Sequence, residues 1–330
     1  MSQRKIWLLK LVLPVRYGRI ITGLLLLSIL LPLFYAGATE SAEHKPPALF
    51  FALIMAYIIP VFSLITANAQ EALRALRPIL AVDDAGFEQL HAHLDSTGLR
   101  LPLISLCGAA VAAAVHTVFI SQSVSAAIET AVTSVSGFLS VMGTLMVWIV
   151  MTTVVVMLLR QARVFGHLGG TIARVSLLDT RALLPFARVS IISSLAIIGA
   201  LALFPLINLE GGLNLTESVP GAVAILGPLV VMFIIPVWPL HNRLSKLKEQ
   251  ELTRVSDKLA ALLDKPGEVD LESADIDTLS PLLAYRREIT QLSTWPFTMG
   301  SMTTLAFYLI IPPLTWAGAA LIENLVDFLL

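Results

Sequence analysis

The sequence predicts an all-α, polytopic membrane protein with seven transmembrane helices, a cytoplasmic N-terminus, an outside C-terminus and a helical cytoplasmic layer. Three observations carry that expectation. Of 330 residues, 56% are hydrophobic and only 14% are charged, with a mean hydropathy of +0.83. That leaves too little polar surface to cover a water-soluble globule of this size. Seven stretches reach the roughly 20 apolar residues that a hydrocarbon core of about 30 Å demands. They lie near 20–37, 48–67, 101–121, 125–159, 188–208, 219–241 and 297–322. With the N-terminus inside, 21 of the 22 basic residues fall on the cytoplasmic side and Lys45 alone falls outside, the bias that orients membrane proteins.

The elements follow in order. RKIWLLKLVLP, ahead of the first span, reads as a short interfacial helix with Lys5 and Lys10 at the headgroups. Ala36-Gly37-Ala38 resembles a signal cleavage site, but the apolar run before it exceeds an ordinary signal core, so the segment is read as an uncleaved span. Residues 1–241 then hold six spans with cytoplasmic loops at 68–99 and 160–187. In the first loop a helix is expected after Asp84, with Phe87, Leu90 and Leu94 on one face and Gly98 as its stop. His91-Ala92-His93 beside Asp95 has a metal-site spacing, but a solvated surface is the plainer reading and no metal is assigned. The second loop opens at the stop-transfer pair Arg160/Arg163.

The fourth span is unusually long. It carries Glu129, Thr133, Ser136, Ser140 and Thr144 on one stripe near Gly137 and Gly143, a pattern of close helix packing. The sixth span is expected to run unbroken into a cytoplasmic region at 242–294, where Leu240, Leu244, Leu247, Val255, Leu259 and Leu262 recur at helical spacing. Lys265-Pro266-Gly267 stops that helix, and an acidic link follows. Ser280-Pro281 offers the N-cap and first position of a second helix leading to Trp295. Residues 295–330 form the terminal span, broken at Pro312-Pro313.

That break is the feature with chemical consequences. The two prolines fall near the bilayer midplane and remove the amides that would satisfy the carbonyls of Tyr308 and Leu309. Irregular backbone at that depth is tolerated where it is buried in protein or faces water; the alternative is an ordinary kink satisfied by a neighbouring helix. Thr298, Ser301, Tyr308, Pro312, Thr315, Ala319 and Glu323 make one face less greasy than its opposite, a candidate pore lining. Glu323, Asn324 and Asp327 would then ring the outer mouth. The outer face carries seven acidic residues against one basic, a charge that concentrates cations. His116 on the third span and Glu129 on the fourth, about equally deep if a tight turn near 122–124 joins those spans, form a candidate gate or coupling pair.

Other classes fall away. A net charge of -1 lacks the basic signature of a nucleic-acid binder. The single cysteine, Cys107, leaves the redox compartment open. No span contains lysine, which excludes a retinal Schiff base. The sequence has no P-loop, GxSxG elbow or clustered Cys/His pattern, so neither an enzyme nor a cofactor is indicated. Asn214-Leu215-Thr216 is a glycosylation sequon, meaningful only in a eukaryotic secretory pathway.

Three phrases, VSLLDTRALLPFAR at 175–188, IPVWPLHNRLSKLKEQEL at 235–252 and WPFTMGSMTTLAFYLIIPPLTWAGAALIE at 295–323, resemble a group of uncharacterised bacterial inner-membrane proteins. The resemblance implies a bacterial inner-membrane location and brings no site residues. The architecture alone is similar to the seven-span insect chemoreceptor cation channels, whose last span lines a tetrameric pore; their characteristic last-helix motif is not found here. The expectation is a homo-oligomeric channel in the lipid bilayer, passing inorganic cations, with the seventh span lining the pore. The alternatives are a secondary transporter coupled to protons and a membrane scaffold or signalling protein.

Overall fold

The computed structural model describes residues 4–37, 45–98, 100–121, 124–171, 177, 181–203, 206, 227–263, 274–297, 300, 303, 304, 306–308 and 310. Within these the regular structure is helical apart from one two-residue pairing. Strand β1 (Arg4–Lys5) runs antiparallel to β2 (Ser96–Thr97), Arg4 opposite Thr97. The helices are α1 (Trp7–Lys10), α2 (Gly18–Gly37), α3 (Lys45–Leu76), α4 (Asp84–Asp95), α5 (Arg100–Ser121), α6 (Val124–Thr133), α7 (Val135–Thr171), α8 (Leu184–Leu203), α9 (227–234), α10 (Trp238–Leu263) and α11 (Ala274–Gln291). Among the described residues four helices are long and apolar enough to cross a membrane: α2, α3, α7 and α8. Leu101–His116 of α5 is apolar but shorter. These lengths and compositions fit a membrane protein.

Local chemistry sets the boundaries. Asp83 caps α4, its carboxylate accepting from the Gly86 amide at 3.1 Å, and Phe87, Leu90 and Leu94 turn inward as their spacing predicts. The long fourth span is two helices. The Ser134 hydroxyl accepts from the Gly137 amide at 3.0 Å, so a serine N-cap starts α7 where the apolar pattern runs on without a break. Glu129 and Thr133 therefore sit on α6, and Ser136, Ser140 and Thr144 on α7.

The helix expected to run on from the apolar stretch 219–241 into residues 242–263 is interrupted as well. Pro236 and Pro239 lack amides, and the Val237 amide turns to Ile234 O at 3.1 Å instead of reaching back to Phe233. The Phe233 carbonyl so freed accepts from the Ser190 hydroxyl of α8 at 2.6 Å, which lets the joint between α9 and α10 sit inside the protein. Helix α11 begins at Ala274, ahead of the Ser280-Pro281 start, with Pro281 inside it. A proline in its first half deletes one ladder bond and leaves the others.

Two cores result. The larger joins α2, α3, α7 and the N-terminal Ile6 and Leu8 through Phe34, Phe51, Phe62 and Met157. The second lies at one end of the same helices, where Leu73, Leu94, Phe165, Phe186 and Leu244 bring together α3, α4, α7, α8 and α10. Helix α5 packs along α7, where Thr152 Oγ1 donates to Ser105 O at 3.1 Å.

Candidate functional site

The sequence-derived pore positions Thr298, Ser301, Pro312, Thr315, Ala319 and Glu323, and the mouth residues Glu323, Asn324 and Asp327, lie outside the described residues, as does Pro313. Tyr308 is described, and it is exposed. So is every other described position from 300 to 310: Gly300, Thr303, Thr304, Ala306, Phe307 and Ile310. At 100° per residue these positions cover an arc of about 200°, so that side of the stretch is exposed on the protomer.

The base of the same segment is tightly held. The His241 ring stacks on Trp295 at 4.0 Å between centroids, 16° from parallel. Trp295 lies over Phe297 at 6.2 Å, and Phe297 stacks on Phe233 of α9 at 4.9 Å. His241 Nδ1–H donates to Thr294 O at 3.3 Å. Trp238 stands 6.2 Å from Trp295, so two Trp-Pro dipeptides far apart in the chain, Trp238-Pro239 and Trp295-Pro296, meet at one corner. Lys248 reinforces the corner by donating to Thr290 O and Leu292 O at 2.8 Å each, capping the end of α11. Arg243 does the same for α7 through Gly170 O at 2.7 Å.

His116 and Glu129 have separate surroundings in the structure. The His116 ring meets Trp148 of α7 edge-on at 5.7 Å, Glu129 is exposed on α6, and no ion pair joins them among the described residues.

A buried polar cluster lies where α3, α4 and α7 meet, at residues the sequence offered only as a helix edge and a surface. Gln161, 2% exposed, donates through Nε2 to Thr66 Oγ1 at 3.2 Å and Leu94 O at 3.1 Å. Arg160 donates to His93 Nε2 at 2.9 Å and to Ser96 O at 2.7 Å. A guanidinium only donates, so the His93 imidazole accepts and is neutral, with its proton on Nδ1. Burial first, and the Arg160 charge second, hold His93 below the ordinary imidazole value.

His91 Nε2 faces Arg74 at 3.0 Å. Residues two apart on a helix point about 200° away from each other, so the two histidines of the HxH serve different arginines on different helices. No group of three or more metal-ligating side chains occurs among the described residues. The Ile6 amide donates to Asp95 O at 3.1 Å, which ties the N-terminal strand to the same cluster.

Some buried amide atoms have no hydrogen-bond partner among the described residues. Asn68 is 5% exposed, and neither its Nδ2 nor its Oδ1 finds a partner; Gln161 Oε1 is likewise unpartnered. Between α3, α7 and α8 an apolar cavity of about 50 Å³ is bounded by Tyr57, Phe62, Met151, Leu158 and Ala196. Comparison with protein-family models, with characterised proteins and with solved structures finds no match for the chain.

Proposed function

We propose that the chain is a seven-span protein of the bacterial inner membrane, N-terminus cytoplasmic and C-terminus outside, working as a homo-oligomeric channel for inorganic cations. Segment 295–330 lines the pathway, Glu323 and Asp327 enrich cations at its outer mouth, and α10 with α11 joins the subunits at the cytoplasmic side. The observation that carries this reading is the exposure of every described position from 300 to 310. A membrane segment that presents Thr303, Thr304 and Tyr308 on an arc exposed on its own protomer is suited to a surface shared between copies. The aromatic stack at Trp295 supplies the linkage by which movement of α10 reaches the segment.

The test is the full chain purified, sized in detergent and reconstituted in liposomes. A symmetric oligomer that conducts, with cation preference lost in Glu323→Gln/Asp327→Asn, supports the reading. A monomer with saturable, pH-dependent uptake overturns it in favour of a secondary transporter, and neither conduction nor uptake leaves a scaffold.

A further inference from the structure

We propose that the α1–α2 corner, residues 7–20, is a docking surface for anionic glycerophospholipid. The inference rests on the chain's being a membrane protein and is independent of whether it conducts ions.

The first 37 residues contain five basic side chains and no acidic one. In the folded chain this stretch is two-sided. Ile6 and Leu8 are fully buried in the main core, while Trp7, Leu11, Leu13, Val15, Tyr17 and Ile20 all point outward. Exposures of 40% to 64% on six large apolar side chains within fourteen residues are far beyond scattered surface hydrophobics, and such a patch marks a contact with something apolar. Lys10 and Arg16 are exposed among them, and Arg19 follows at the start of α2. Among the described residues no carboxylate pairs with any of the three. Apolar side chains interleaved with unneutralised cations at the foot of a long apolar helix match the boundary between acyl chains and phosphate. Charge complementarity selects an anionic headgroup over a zwitterionic one.

The corner is also built rigidly, so it presents one shape. The Leu13 amide donates to the buried Thr22 hydroxyl at 3.0 Å, and the Gly18 amide to Val15 O at 2.8 Å. Tyr17 adopts φ +65°, a left-handed conformation uncommon for a bulky residue, with the Arg16 guanidinium 5.3 Å from its ring centre. A Cβ on Gly18 would stand 1.9 Å from Leu13 O, so no other residue fits the turn. Arg19 is steadied by Ser63 of α3 at 3.4 Å. A turn fixed this firmly while holding its apolar side chains outward is preorganised for its partner.

The experiment is thermal unfolding of the full chain in a mild non-ionic detergent, titrated with phosphatidylglycerol, with phosphatidylcholine and with glycerol 3-phosphate. Phosphatidylglycerol should raise the melting temperature, and Lys10→Gln/Arg16→Gln should weaken its apparent affinity about tenfold. Phosphatidylcholine and glycerol phosphate should act far more weakly. Equal stabilisation by phosphatidylcholine, stabilisation by free glycerol phosphate, or an unchanged response in the double variant overturns the proposal. Should that variant fail to fold, brominated lipids provide the second measurement. Brominated phosphatidylglycerol should quench the Trp7 signal, read as wild type minus Trp7→Phe, more strongly than brominated phosphatidylcholine, and equal quenching overturns the proposal. Failure of conduction in liposomes would leave all of these readings untouched.

Discussion

The middle and the base of the α3–α7–α8 core are built from the same three helices by different physics. In the middle, Phe62, Ile59, Met157 and Ala200 belong to one apolar cluster. At the base the helices are cross-linked by Gln161 to Thr66, Arg160 to His93 and Arg188 to Glu71, around a second core of Phe165 and Phe186. Where lipid surrounds a helix, apolar burial against another helix gains little beyond dispersion, because acyl chains are as apolar as leucine. Where water returns, the hydrophobic effect acts in full and hydrogen bonds select which faces meet. Because it holds the charged groups Arg160, Arg188 and Glu71 and the titratable His93, the base is the part of the molecule whose stability should respond to salt and pH.

The largest expected effect tests that contrast directly. Phe165→Ala removes a fully buried ring packed edge-on to Phe186 at 6.0 Å and should cost about 3–5 kcal/mol. Phe62→Ala, equally buried in the middle, should cost clearly less, because its unfolded reference lies in lipid. Equal losses in a denaturing-detergent titration of the two variants would break the comparison. Next come the buried amides, which should respond with opposite signs. Gln161→Leu strips Leu94 O and Thr66 of their donor and should destabilise by about 1–3 kcal/mol. Asn68→Leu removes two unpartnered polar atoms and should leave stability unchanged or raised, checked by the same titration.

Smaller still is the exposed pair between Arg188 and Glu71, bidentate at 3.1 and 3.2 Å. Glu71→Gln should cost no more than about 1 kcal/mol, with the difference fading as salt is raised. Last is a slope. Because His93 binds its proton less readily folded than unfolded, its contribution is complete above the ordinary imidazole value of 6.5. It declines as pH falls from there towards the lower folded value. His93→Gln, which keeps an acceptor that cannot be protonated, should flatten melting temperature against pH through that window; an unchanged slope would assign the sensitivity elsewhere.

Helices α2, α3, α7 and α8 were legible as apolar runs of membrane length, and α4 as the short amphipathic stretch after Asp84. Their interruptions were not. Ser134 sits in a run that stays apolar on both sides, and the joint at Pro236 and Pro239 shows only once the Ser190 hydroxyl is seen on the Phe233 carbonyl. Of the polar cluster, Arg160 read as a stop-transfer charge and the two histidines as surface; that each faces an arginine from another helix depends on how α4 lies against α3 and α7. The nearest sequence signal was the repeated Trp-Pro, at 238–239 and 295–296, which the fold unites in one aromatic corner.

By itself the amino-acid sequence determined the solvent this protein is made for, the places where its helices can lie, and the surplus of basic side chains at one end, because hydropathy, proline and charge act locally. Tertiary structure alone decided which faces meet. Helices apolar on every side carry little contrast between inside and outside, so their pairing is settled by close packing at Gly143 and Gly166 and by a few hydrogen bonds from Gln161, Ser190 and Arg160. Such contacts exist only once distant segments have been brought together.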